Sequence, residues 1–227
     1  MKFVAKTAAI IGALALLVST ANADDDNRSG HATYEITITN VTKGQVFSPP
    51  VLVTHKKSVK LFEAGAPASP ELALVAEDGN NGPLADLLNS LRQVGVALAS
   101  AAPIGPGGSA IYEIRSSRRF DVVSAVGMLV NTNDAFFAID SRNLPMRRGQ
   151  TKSFIAHAYD AGSEDNNEDC RAIPGPACAP DSGNARDVDG AEGYVHIHNG
   201  VHGIADLAPA AYDWRNPVAR VTVRRVR

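Results

Sequence analysis

Two acidic segments hold the side chains best suited to chemistry: Asn131-Thr-Asn-Asp-Ala-Phe-Phe-Ala-Ile-Asp140 and Tyr159-Asp-Ala-Gly-Ser-Glu-Asp-Asn-Asn-Glu-Asp169. The turn Arg142–Gly149 lies between them, with strand-like sequence on either side. If those strands pair as an antiparallel hairpin, the start of the first lies beside the end of the second. Asp134 and Asp160 then meet at one end of a sheet, and Gly162 permits a bend that carries Glu164 back toward them. Converging carboxylates repel one another unless a cation neutralises them. Hard oxygen ligands on loops suit Ca2+, which takes ~6–8 oxygens at ~2.3–2.6 Å. The spacing of an EF-hand loop is absent, and a solvated acidic loop has the same composition, so both readings stand at this level.

A second constellation is Gly193-Tyr-Val-His196-Ile-His198-Asn-Gly-Val-His202. On a strand His196 and His198 share a face, and His202 follows just past Gly200. Three neutral imidazoles could hold Zn2+ or Cu2+, and an open coordination position would then allow metal-assisted hydrolysis or oxidation. The plainer reading is that the histidines hydrogen-bond within the sheet and order a loop with Asp206 and Asp213. That reading is preferred, because no acid is spaced like a catalytic base. Cys170 and Cys178 lie in one loop with Pro174 and Pro176 between them, an arrangement that suits a disulfide in an exported protein. Two free thiols forming half a metal site is the alternative.

Other enzyme signatures are missing. Gly105-Pro-Gly-Gly108 is not set between a strand and a helix as a phosphate loop is. No serine occupies a nucleophile elbow, and His157 stands alone. The chain therefore reads as a binding protein without catalytic activity of its own, and a transition-metal enzyme is the competing reading.

The elements that must position these residues are mostly strands. Tyr34, Ile36 and Ile38 alternate with Glu35, Thr37 and Thr39, the period of a half-buried strand. Val51–Thr54, Val59–Phe62, Ala110–Arg115, Phe120–Val130, Ala135–Asp140, Thr151–Tyr159, Gly193–His198 and Val218–Val226 continue the pattern. Residues 70–77 suit a short helix, with Pro70 at its first position and Gly79 beyond its end. Leu84, Leu87, Leu88, Leu91, Val94 and Leu98 fall at helical spacing, predicting a helical insertion near residues 83–101 that packs on the sheet. The expected fold is all-β: an antiparallel β-sandwich of about eight or nine strands with that insertion.

The N-terminus reads as an export signal over residues 1–23. Lys2 and Lys6 precede an apolar run from Ala8 to Val18, and Ala21-Asn22-Ala23 is a small-x-small cleavage pattern. The run is short for a bilayer core of ~30 Å, and no transmembrane anchor is expected. Residues 24–32 are polar and aperiodic, a disordered leader to one domain over 33–227. Of 22 basic residues the signal takes two, leaving 20 against 24 acids and a net charge of −4. That balance argues against nucleic acid as a partner. A secreted or periplasmic protein is the expectation.

A family resemblance adds to this. Asn133-Asp134-Ala-Phe-Phe-Ala-Ile-Asp-Ser141, followed by Asn143-Leu144, resembles the Pro-Asp-Trp-Phe-Val-Gly stretch of the spondin N-terminal (F-spondin/mindin) domain. Tyr159-Asp-Ala-Gly-Ser-Glu164 is similar to that family's Tyr-Asp-Ala-Gly-Thr-Asp, and Asn216–Val223 to its closing strand. The likeness spans roughly residues 33–226 and points to a stand-alone secreted form. It implies a C2-like β-sandwich that binds calcium through loop carboxylates and serves in adhesion to an extracellular protein or glycan ligand. Asp134, Asp160 and Glu164 become the implied Ca2+ ligands. Glu164 stands where the family has aspartate, and Ala135 where it has a large aromatic.

Overall fold

In strand β1 (His31–Asn40), Tyr34, Ile36 and Ile38 are buried, while Glu35, Thr37 and Thr39 are half-exposed. The computed structural model describes residues 30–227, so the export signal and most of the leader lie outside the described residues. The leader's last two residues do not follow the expectation of disorder. His31 and Ala32 already pair with Ser117 and Ser116, because the β1 ladder needs them.

The remaining strands are β2 (Val51–His55), β3 (Val94–Ala99), β4 (Ser109–Ser117), β5 (Val122–Met128), β6 (Ala135–Asn143), β7 (Thr151–Asp160), β8 (His196–Ile197) and β9 (Ala219–Arg225). They form one nearly closed antiparallel path, β3-β2-β5-β6-β7-β9-β1-β4, with β8 added beside β7. The all-β, antiparallel expectation and the strand number hold.

Strand β7 turns the corner of this path. Its first half, Thr151–Ala156, pairs with β9, and its second half, His157–Asp160, pairs with β6. Residues facing inward from both halves of the path make the main core, in which Ile36, Ile38, Phe47, Leu52, Phe137, Ile139 and Val221 are buried together. The outer face of β2, β5 and β6 is covered too, by helices α1 (Pro70–Asp78) and α2 (Gly82–Ser90). Every residue of β2 and β5 is therefore buried, which is why their sequences run apolar rather than alternating. Ser124 of β5 bonds both His55 of β2, at 2.7 Å, and Asp140 of β6, at 3.0 Å, satisfying polar groups at the centre of that layer.

Helix α1 begins where expected. Ser69 Oγ accepts from the Leu72 N–H, Pro70 occupies the first turn, and Gly79 ends the helix in the left-handed region. The second helix is shorter than its apolar spacing predicts. It stops at Ser90, Leu91 is extended, and Val94–Ala99 is the edge strand β3. The β-branched Val94 and Val96 favour extended backbone, so the helical spacing of Val94 and Leu98 is fortuitous. The Asn89 amide caps this edge, donating to the Ala97 carbonyl and accepting its N–H, both at 2.9 Å. Two other strand expectations need correction. Residues 59–62 form no ladder, and of Gly193–His198 only His196–Ile197 is strand. A last short helix, α3, covers Pro209–Tyr212.

Candidate functional site

The hairpin register puts the acidic residues at one end of the sheet. Ala135 pairs with Asp160, so Asp134, just before β6, lies beside the last residue of β7. The turn before β6 is fixed internally: Thr132 Oγ1 donates to the Leu129 carbonyl and accepts the Ala135 N–H. Asp134 is wholly buried. Its Oδ2 accepts from the Ser163 N–H at 2.7 Å, the Glu164 N–H at 3.1 Å and the Ser163 hydroxyl at 3.2 Å. Its Oδ1 has no hydrogen-bond partner.

Asp160 is equally buried. Oδ1 accepts the Gly162 N–H and Oδ2 accepts from the Asn166 amide, each at 2.7 Å. Gly162 has φ +64°, and a Cβ there would overlap the Tyr194 backbone, so the bend expected at this glycine depends on its lacking a side chain. Glu164 is 3 % exposed, and its Oε2 is also without a partner.

The electrostatics follow from this burial. Burial, then the nearby Asp160, pushes the Asp134 carboxyl up to about 7. Burial, then Glu77 and Asp134, pushes Glu164 up to about 8. Asp160 is raised by burial against the lowering effect of its Asn166 and Gly162 bonds. Asp134 is thus the common neighbour of the other two predicted carboxylates. Glu164 leans toward helix α1, where Glu77 pairs with Arg186 at 3.0 Å.

The histidines sit on the other side of Asp160. His196 pairs with Asp160 across β7 and β8, and its Nε2 lies 3.6 Å from Asp160 Oδ1 and 3.5 Å from Glu192 Oε1. His198 Nε2 is 3.7 Å from Asp160 Oδ2. Both Nε2 atoms are buried without a hydrogen-bond partner. Burial lowers His196, but its bond to the Ile197 carbonyl and the charges of Asp160 and Glu192 outweigh it and raise the group overall. Burial, then His196 and His202, pushes His198 down to about 3. The His202 side chain is exposed, and its backbone N–H, with those of Gly203 and Ile204, donates to the Glu168 carboxylate.

Among the described residues, the acidic and imidazole side chains that place three ligand atoms within 4.8 Å of one another are Asp160, Glu192 and His196. Neither the three predicted carboxylates nor the three predicted histidines form such a group. Sequence reasoning missed Glu192, although it stands four residues before His196 in the same histidine segment. It also missed Glu77, which nothing but the packing of α1 brings close. Cys170 and Cys178 are disulfide-bonded, and Asn131 ties their loop to the site by accepting the Ala177 N–H at 3.0 Å.

Comparison with known proteins adds one match. The family model described as Spondin_N matches residues 37–168, which include both hairpin strands and the three predicted carboxylates. No curated protein matches the chain.

Proposed function

The chain belongs to the spondin N-terminal domain family, and from that premise we propose an extracellular recognition and adhesion module whose acidic sheet end binds Ca2+. One observation carries the calcium reading: the wholly buried Asp134 carboxylate leaves Oδ1 unpartnered beside a second buried aspartate. An unpaired buried anion is costly, and coordination of a cation is one way to offset that cost. The donors present fit a hard ion, since Asp134, Asp160 and Glu164 all offer carboxylate oxygens. Asp134 and Asp160 would hold the cation, with Glu164 reaching it from the side of α1. Bound calcium would supply the charge that lets these carboxylates stay ionised and keeps the loops closed.

Recognition is supported by the surface next to this end. Val188, Tyr194, Ile197 and Ile204 are 45–66 % exposed, all within the segment that borders the acidic loops. Exposed apolar side chains beside a cation-ordered loop suit an extracellular protein or glycan ligand. The disulfide fits an oxidising compartment, and among the described residues no helix is long and apolar enough to cross a membrane. Calorimetric titration tests the reading. One calcium per chain is expected, and Asp134→Asn should weaken binding at least about tenfold. Absence of calcium binding to the unsubstituted protein would end the proposal.

A further inference from the structure

We propose that Asp160, Glu192 and His196 form a second cation site, selective for a borderline transition metal such as Zn2+, with His198 outside the coordination sphere. The hydrogen bonds sort the two imidazoles into different roles. His196 Nδ1 lies 3.0 Å from the Ile197 carbonyl, which can only accept, so Nδ1 carries the proton and Nε2 presents a lone pair. His198 is the opposite tautomer. Its Nδ1 accepts the Gly200 N–H at 2.9 Å, so its Nε2 bears the proton and cannot bind a metal. That N–H points toward Asp160 Oδ2 from a side chain only 5 % exposed.

The lone pair of His196 therefore faces two carboxylate oxygens, at 3.5 and 3.6 Å. A proton shared there would draw the groups to the ~2.7–2.9 Å of a charge-assisted hydrogen bond. Ligands ~2.0–2.2 Å from a tetrahedral zinc stand about 3.3–3.6 Å from one another, which matches the two separations observed. The backbone carbonyl behind Nδ1 is the outer partner that metal-bound histidines commonly have. Three protein ligands leave a fourth position for water or for a donor from a partner. The imidazole sets this site apart from the all-oxygen calcium site, since nitrogen donors favour zinc over calcium. The two share Asp160 but are separable through His196 and Asp134.

The test titrates Zn2+ into the purified protein by calorimetry, and separately Co2+, read by its visible absorption. One equivalent of zinc is expected to bind. His196→Ala and Glu192→Gln should each weaken it by at least the roughly 10–100-fold that loss of an outer partner costs, and the cobalt bands should be lost in His196→Ala. His202→Ala should change neither, and Asp134→Asn should weaken calcium binding while keeping zinc. Glu192 is exposed and His196 half-buried, neither in the core, so both variants should fold, which circular dichroism checks. A wild-type protein that takes no zinc, a His196→Ala protein that keeps it, or a His202→Ala protein that loses it equally would overturn the assignment, whatever calcium does.

Discussion

At the scale of single residues, the acidic end holds protons that an exposed carboxylate would release. Burial and like charge disfavour the ionised forms of Asp134 and Glu164 and push the two carboxyls up to about 7 and about 8, from 3.8 and 4.5 for the free groups. A raised folded value means that the folded chain holds a proton the unfolded chain has lost. The stability this contributes is complete below the unfolded values and disappears as pH rises through about 7 and about 8. Acidifying the calcium-free protein from about pH 9 to about 6.5 should therefore raise its melting temperature. Below 6.5 His198 acts in the other direction. Its folded value is pushed down to about 3 by burial, so the unfolded chain takes up a proton that the folded chain refuses. Calcium favours the ionised carboxylates, so the loaded protein should show a flat or reversed trend above about pH 6.5. Scanning calorimetry with calcium and with chelator measures both curves. A calcium-free melting temperature that falls between about pH 9 and 6.5 would contradict the assignment of these protons.

At the scale of elements, strand β7 and its exit decide where the site forms. The exit needs Gly162, whose N–H donates to Asp160 and whose φ is +64°. Gly107 has a similar φ of +70° with open space around it, so Gly107→Ala should cost only the left-handed backbone term, about 1 kcal/mol. Gly162→Ala adds overlap with the Tyr194 backbone and should cost clearly more in urea unfolding, and it should weaken calcium binding as well. Equal costs at the two positions would mean that the exit can relax. A reducing agent offers a second probe, because opening the Cys170–Cys178 ring should destabilise the chain by about 2–3 kcal/mol in the chain-entropy account. Elements of this kind were legible where local chemistry sets them. Alternation marked β1, the caps of α1 stand in the sequence, and the spacing of the acidic segments foretold the hairpin that joins Asp134 to Asp160. The helix predicted across residues 83–101 failed because apolar spacing alone does not separate a helix from a helix followed by an edge strand. Glu77 was illegible for another reason: its nearness to Glu164 depends on how α1 packs across the sheet, which leaves no local signal.

At the scale of the whole molecule, the acidic end lies at the far end of the strand that joins the two halves of the path. β7 pairs with β9 through its first half and with β6 through its second, and Asp160 is its last residue. A cation held by Asp134 and Asp160 thus braces β6 against the corner strand on which the other half of the path also hangs. If so, calcium should stabilise the domain as a unit and not merely order a loop. Binding to the native state alone contributes RT ln(1 + [L]/Kd), about 2.7 kcal/mol at a hundredfold excess over Kd. For a domain of this size each kcal/mol moves the melting temperature by about 2–4 °C, so a rise of roughly 5–10 °C is expected. Hydrogen exchange locates the effect. The amides of Ala156–Asp160 in β7 and of Ala219–Val223 in β9 should exchange more slowly with calcium, since they are released only when the corner opens. Protection confined to residues 161–206, with an unchanged melting temperature, would mean that the cation orders a loop that opens on its own. The corner would then owe its stability to the apolar core between the two halves, and the acidic end would be a recognition loop switched by calcium on a scaffold indifferent to it.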